Sequence, residues 1–244
     1  MRALSYSQIS TYLSCPLSYR LQYLERLPRR PKPYLTFGST LHRCVAYYYR
    51  ERRRRPPQLA DLLRFYEKSW VSAGYRSEDR EAQDKALGQA ILTRFWELHS
   101  ADYRPSLATE RWFQVDLGGV HFKGFIDRVD ISERGGLVVV DYKTSKSAIT
   151  EAEAEDDLQL TLYQLACQQI WLLPVDKLTI YYLRSNTPVD STPRGPSRIE
   201  ETRQTALGVA RAISRGEFPP RLNQFCPCDY PEHCPYFAER RRAS

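Results

Sequence analysis

The chain has 244 residues, a formal net charge of +7 and a pI near 9.1, an excess of positive charge that suits a polyanionic partner. It contains no apolar run of about 18 residues, no charged-then-apolar leader and no Gly-x-x-x-x-Gly-Lys-Ser/Thr loop, which argues against a membrane span, a secretory signal and an ATP-driven motor. A cytoplasmic protein is therefore expected, and in that reducing compartment its six cysteines point to thiols or metal rather than disulfides.

Residues 6–27 read as a helix broken near Cys15-Pro16. Ser5 or Ser7 can cap the first piece, and Pro16 suits the first turn of the second. Tyr12, Tyr19, Leu21, Tyr23 and Leu24 give it an aromatic face. A basic, proline-rich connector follows at 29–33. A second helix is predicted over 37–55, with His42 in its first turns and Arg52 to Arg55 at its end. Basic residues there favour the helix dipole, and they could equally meet phosphates. After Pro56-Pro57, residues 59–73 and 77–100 have helical periodicity, with Leu62, Leu63, Phe65, Tyr66 and Trp70, then Leu87, Ile91, Phe95 and Trp96, on apolar faces. They carry no recognisable chemistry. Residues 56–104 are read as a helical insertion whose simplest role is packing.

The most informative stretch is 108–146. Gly118-Gly119 and Gly135-Gly136 punctuate three β-rich runs, predicting a three-strand antiparallel meander. Glu110 near its start is either a supporting group or an exposed strand end. Asp127 and Asp141 stand where apolar residues would be expected, and Lys143, two residues after Asp141, points to the same face. Asp-x-Lys alone is the pattern of a surface ion pair. A second acid on a neighbouring strand changes that, because two nearby carboxylates repel unless a cation lies between them.

Beyond Lys146, an acidic loop and helix start (151–157) leads into a helix over 158–173, where Gln159 and Tyr163, four apart, share a face. Residues 177–184 alternate as a further strand, 185–197 read as a mobile loop, and 199–215 as a last helix with Gly216 as its C-cap. The tail holds Cys226, Cys228 and Cys234 in a short segment, a strong metal signal. A fourth ligand is wanted. His233 is adjacent to Cys234 and poorly placed to share its metal, whereas Cys15 is better placed; Cys44 and Cys167, inside predicted helices, read as apolar fillers.

Taken together, Gly38-x-x-x-His42, Gly124-Phe-Ile-Asp127-Arg128-x-Asp130, Val140-Asp141-Tyr-Lys143-Thr144, Gln159-x-x-x-Tyr163 and the Cys15 plus Cys226, Cys228, Cys234 set resemble the PD-(D/E)XK nuclease superfamily, in its RecB-like branch with an iron–sulfur cluster. The layout is similar to the nuclease domain of AddB-type enzymes and to exonucleases associated with CRISPR adaptation. The sequence departs from that pattern in spacing its first two tail cysteines as Cys-x-Cys and in carrying Ala46 one turn after His42. The resemblance implies an α/β fold with a restriction-endonuclease-like core: the meander plus a further strand, flanked by helices, with the helical insertion and a Cys-rich tail joined to the N-terminal helix, in one nuclease domain over 1–244. It also implies that His42, Asp127, Asp141 and the Tyr142 carbonyl hold Mg²⁺ or Mn²⁺, that Lys143 acts on the attacking water and the phosphorane, and that Gln159 and Tyr163 orient the lysine or the substrate. Cys15, Cys226, Cys228 and Cys234 would hold a 4Fe–4S cluster, with zinc as the alternative.

The resulting expectation is a metal-dependent DNA exonuclease, acting on single-stranded ends, in repair, recombination or CRISPR adaptation. A helicase or a CRISPR integrase is a candidate partner, and no membrane is involved. Two other readings stay open: a non-catalytic nucleic-acid-binding module on the same fold, and a zinc-stapled adaptor of a repair complex. The first predicts a damaged metal site, the second zinc without sulfide.

Overall fold

The computed structural model describes residues 3–50, 53–221 and 229–237. Its described elements, in chain order, are α1 (Tyr6–Ser14), α2 (Pro16–Tyr19), a π-helical turn (Arg20–Leu24), α3 (Pro33–Tyr48), α4 (Leu59–Ser69), α5 (Glu78–His99), β1 (Ala108–Asp116), β2 (His121–Ile131), β3 (Leu137–Lys143), α6 (Glu151–Glu155), α7 (Leu158–Trp171), β4 (Val175–Tyr182), β5 (Thr187–Ser191), α8 (Pro196–Ser214) and a 3-10 turn (Pro231–His233). One mixed sheet has the order β1-β2-β3-β4-β5. This is the α/β, restriction-endonuclease-like architecture expected from the sequence, with one strand more.

The glycine pairs turn the chain as their chemistry requires. Gly118 and Gly119 both have positive φ, and Leu117 donates to the Val120 carbonyl across the turn, so a tight two-residue hairpin joins β1 to β2. Gly135, at φ +83, serves the β2–β3 turn, and those strands pair antiparallel from Ile131↔Leu137 to Arg128↔Val140. β3 and β4 run parallel from Leu137↔Val175 to Lys143↔Tyr182. A parallel pair needs a long crossover, which α6 and α7 provide. Thr150 opens α6 with a capping box to Glu153, and Asp157 caps α7 by accepting from the Leu160 N–H at 2.7 Å.

Residues 185–197 are not a loop throughout. Asn186, in the left-handed region at φ 51, turns the chain back, and β5 pairs antiparallel with β4 from Tyr182↔Thr187 to Leu178↔Ser191. Pro188, Asp190 and the small hydroxylic residues disguise the strand; Pro188 is tolerated because β5 is an edge. The helix expected over 37–55 also moves. Pro33 starts it, and it ends at Tyr48, so Arg53 to Arg55 lie beyond the helix, not on its last turn; Arg52 is outside the described residues. The Arg53 guanidinium lies 4.9 Å from the centre of the Tyr47 ring.

By its internal contacts the chain forms two compact units. The first comprises Met1–Arg30, Gln114–Gly124 and Ser197–Ser244. Within it, Ser5 caps α1 through a capping box with Gln8, and Pro16 occupies the first turn of α2. Tyr12, Tyr19 and Leu21 are buried, whereas Leu24 is exposed. Described residues from the N-terminal and C-terminal segments meet here. Tyr12 Oη donates to the Glu217 carbonyl at 2.6 Å, Tyr19 stacks on Phe218, Arg29 pairs with Asp229 at 2.9 Å, and Tyr230 packs with Leu17 and Leu21.

The second unit comprises Pro31–Phe113 and Phe125–Pro196. Phe37, Leu41 and Tyr48 of α3 form one core with Leu62 and Tyr66 of α4, Leu92 and Phe95 of α5, and Val140 and Tyr142 of β3. α4 and α5 thus pack as core elements, though Leu87, expected on the apolar face, is exposed. Arg128 is largely buried on this side of the sheet, its side chain 13% exposed. It donates to Tyr142 Oη at 2.7 Å, pairs with Asp130 at 3.0 Å and lies 4.1 Å from the centre of the Tyr49 ring. Such pairing offsets the cost of a buried guanidinium.

Candidate active site

The residues singled out on β2, β3, α3 and α7 come together in the second unit. β2 leaves β3 after Arg128↔Val140, and at the next residue a side chain replaces the backbone: Asp127 Oδ2 accepts from the Tyr142 N–H at 2.8 Å. The same oxygen is 3.4 Å from His42 Nδ1 on α3. On β3, Asp141 is only 2% exposed, and its Oδ2 lies 2.6 Å from Lys143 Nζ. Lys143 donates to Gln159 Oε1 at 2.6 Å, and Gln159 Nε2 donates to Tyr163 Oη at 2.8 Å. Asp141, Lys143, Gln159 and Tyr163 therefore form one continuous polar chain, two members from a strand and two from successive turns of α7.

Glu110 completes a second cluster. One ligand atom each from His42, Glu110 and Asp127 lie within 4.8 Å of one another. The cause is a β-bulge. Leu107 donates to the Val129 carbonyl and Leu117 to the Val120 carbonyl, so β1 carries one residue more than β2 between the same rungs. Glu110 has φ 46, a left-handed conformation typical of the extra residue. Strand alternation gives no sign of such a bulge, which is why Glu110 is ambiguous in the sequence.

Burial alone would lower the His42 pKa, but its hydrogen bond to Asp127 and the charges of Asp127, Asp141 and Glu110 raise it above the ordinary imidazole value. Burial raises the Asp141 carboxyl to about 6; Lys143 opposes the rise and Asp127 adds to it. Glu110 is raised by desolvation and by Asp127. Crowded carboxylates that hold protons in this way are a site short of positive charge. One imidazole and several carboxylates are hard and borderline donors that suit Mg²⁺ or Mn²⁺. Asp141 is held by Lys143 and stands beside the His42, Glu110 and Asp127 group rather than within it.

Gly38 sets the approach of α3. Gly38 lies one helical turn before His42, and a Cβ there would sit 2.8 Å from Oγ1 of Thr144, the residue after Lys143. Gly38→Ala is expected to push α3 outward and weaken Mn²⁺ binding by roughly tenfold, in line with the 1–3 kcal/mol cost of overpacking. Calorimetric titration of the variant with Mn²⁺ checks this, and unchanged affinity would mean that Thr144 simply rotates away.

Of the tail cysteines, Cys226 and Cys228 lie outside the described residues. Cys234 is 9% exposed, and Cys15 packs against the Leu17, Leu21 and Tyr230 core. Cys44 and Cys167 are fully buried, and burial pushes both thiols up to about 12, as befits apolar fillers.

β2 and β3 thus bring Asp127, Asp141 and Lys143 to adjoining strand positions. The chain belongs to the PD-(D/E)XK nuclease superfamily, which it matches over residues 3–238. It is 24% identical to the Gene 69 protein of Mycobacterium phage D29, over 95% of this chain and 93% of that one, and 24% identical to the Gene 69 protein of Mycobacterium phage L5, over 96% of each. It is 29% identical to one component of the ATP-dependent helicase/deoxyribonuclease of Carboxydothermus hydrogenoformans, over 69% of this chain but 18% of that much longer protein. A solved structure of a candidate exonuclease from Eubacterium rectale shares the fold, with a TM-score of 0.58 at 13% identity, covering 95% of this chain and 88% of that one. No helix among the described residues is long and apolar enough to cross a membrane.

Proposed function

We propose that this nuclease is a metal-dependent DNA exonuclease acting on single-stranded ends. The observation that carries the reading is the Asp141–Lys143–Gln159–Tyr163 chain standing beside the His42, Glu110 and Asp127 cluster. His42, Glu110, Asp127 and Asp141, with the Tyr142 carbonyl, would hold Mg²⁺ or Mn²⁺. A divalent cation there supplies Lewis-acid polarisation of the phosphoryl oxygens and a more acidic water. Lys143 brings a positive charge to the reacting phosphate, and Gln159, fixed by Tyr163, keeps that ammonium aimed when Asp141 turns to its other role. The tail and N-terminal cysteines, Cys15, Cys226, Cys228 and Cys234, are read as a 4Fe–4S staple. Cys15 and Tyr230 sharing one small core supports this, because it brings the tail to the N-terminal helix. The likeness to a component of a helicase/deoxyribonuclease supports a helicase as partner in DNA repair or recombination.

The raised pKa values give a test. A raised folded-state pKa means that the folded metal-free protein binds more protons than the unfolded chain. The stability contributed by His42, Glu110 and Asp141 is then greatest at low pH and falls as pH rises through their folded values, near 6 for Asp141. Metal must displace those protons, so Mn²⁺ affinity rises over the same window. Thermal denaturation from about pH 5 to about pH 8, with Mn²⁺ or EDTA, is expected to show a stabilisation by Mn²⁺ that grows with pH. A metal effect independent of pH would count against His42 and Asp141 as ligands.

A further inference from the structure

The exposed side of the β1–β2 hairpin carries an aromatic pair that packing does not require. The Leu117–Val120 rung fixes the register beyond the bulge, and counting back along both strands places Trp112 directly opposite Phe125. Both side chains fall on the same face and both are 54% exposed. Their neighbours on the other face, Phe113 and Ile126, are buried and already supply the core. Neither Trp112 nor Phe125 is stacked on another ring among the described residues. Phe125 lies two residues before Asp127 on β2, so by strand alternation the pair continues the face that bears Asp127. That step is about 6.6 Å along a strand, comparable with the distance from a phosphate to the base of its own nucleotide.

We propose that Trp112 and Phe125 form a stacking platform for an unpaired base next to the phosphodiester held at the His42, Glu110 and Asp127 cluster. This rests on the nuclease reading and deepens it by naming how the strand is held. A nucleic acid placed with its phosphate at that cluster must lay a base nearby, and the adjoining surface is two flat rings. Every base offers a π-face, so such a platform is tolerant of sequence. It selects against duplex interior, where both faces of each base are already covered. The platform therefore favours single-stranded ends.

The test measures binding without cleavage. Lys143→Ala protein in Mn²⁺ is titrated with an end-labelled oligothymidylate and with the same oligonucleotide carrying an abasic end. The Lys143→Ala, Trp112→Ala, Phe125→Ala protein is titrated in parallel. Removing the base is expected to weaken binding to the first protein about tenfold and to leave binding to the second unchanged, as the loss of one stacked base predicts. A fluorescence arm adds Trp112→Phe, which should keep the affinity and abolish the quenching that the oligonucleotide causes. If the abasic penalty is the same in both proteins, the platform is overturned while the nuclease reading stands. If neither oligonucleotide binds, both fall. If the aromatic substitutions alter only self-association, seen by sedimentation, the patch is an interface between copies and the proposal is overturned.

Discussion

Lys143→Ala is expected to slow cleavage by roughly a hundredfold to ten-thousandfold, the range for losing a positioned proton-transfer or charge-stabilising group. The side chain links two parts of the site, lying 2.6 Å from both Asp141 Oδ2 and Gln159 Oε1. Removing it does two separable things. In the proposed mechanism it would take the ammonium away from the phosphate and so lower the rate constant. It also leaves the buried Asp141 carboxyl without its cation, which destabilises the metal-free fold. In the proposed mechanism a divalent metal would take the place of that cation at Asp141. Mn²⁺ is therefore expected to restore the stability of Lys143→Ala but not its activity. Single-turnover cleavage rates and melting curves with and without Mn²⁺ separate the two effects. A variant that is stable in Mn²⁺ and cleaves at the wild-type rate would remove Lys143 from the chemistry.

The second large effect is expected at the cysteines. Cys234→Ser in anaerobically purified protein should lose bound iron, inorganic sulfide and their visible absorbance, and destabilise the fold by several kcal/mol, because assembly of a structural metal site is folding free energy. Cys44→Ser and Cys167→Ser are the controls. Both thiols are as buried as Cys234 or more so, and both are pushed up to about 12, so they offer no ready thiolate. They should leave iron content unchanged, at the ordinary cost of placing a hydroxyl in an apolar site. Metal analysis decides the staple's identity: iron with sulfide supports the cluster, stoichiometric zinc without sulfide replaces it with a zinc staple, and no metal with unaltered stability rejects both.

Each half of the polar chain was legible in the sequence because it follows periodicity, whereas the meeting of the two halves was only what the family resemblance implied. Asp141 and Lys143 are two apart on a strand, Gln159 and Tyr163 four apart on a helix, and each spacing puts its pair on one face. The glycine pairs marked both turns of the meander, since positive φ leaves few alternatives to glycine. Where irregular backbone decides, the sequence was silent. Glu110 joins His42 and Asp127 only through a bulge, and a bulge is an exception to the alternation from which strands are read. β5 was hidden for a different reason: Thr187, Pro188 and Asp190 have turn-like chemistry, and only pairing with β4 makes them a strand. The parallel register of β3 on β4, which depends on α6 and α7 packing back on the sheet, left no local mark at all.

Exonuclease action on single-stranded ends is tested most directly by a time course on end-labelled DNA. Wild-type protein, purified anaerobically, is given the same strand single-stranded and in a blunt duplex, with Mn²⁺, Mg²⁺ or EDTA. The expected result is release of label or a ladder of shortening products from the single strand, faster than from the duplex, and none in EDTA. Intact DNA with every divalent metal, from protein whose Mn²⁺ binding is confirmed by titration, would contradict the account and leave a fold that binds nucleic acid without cutting it.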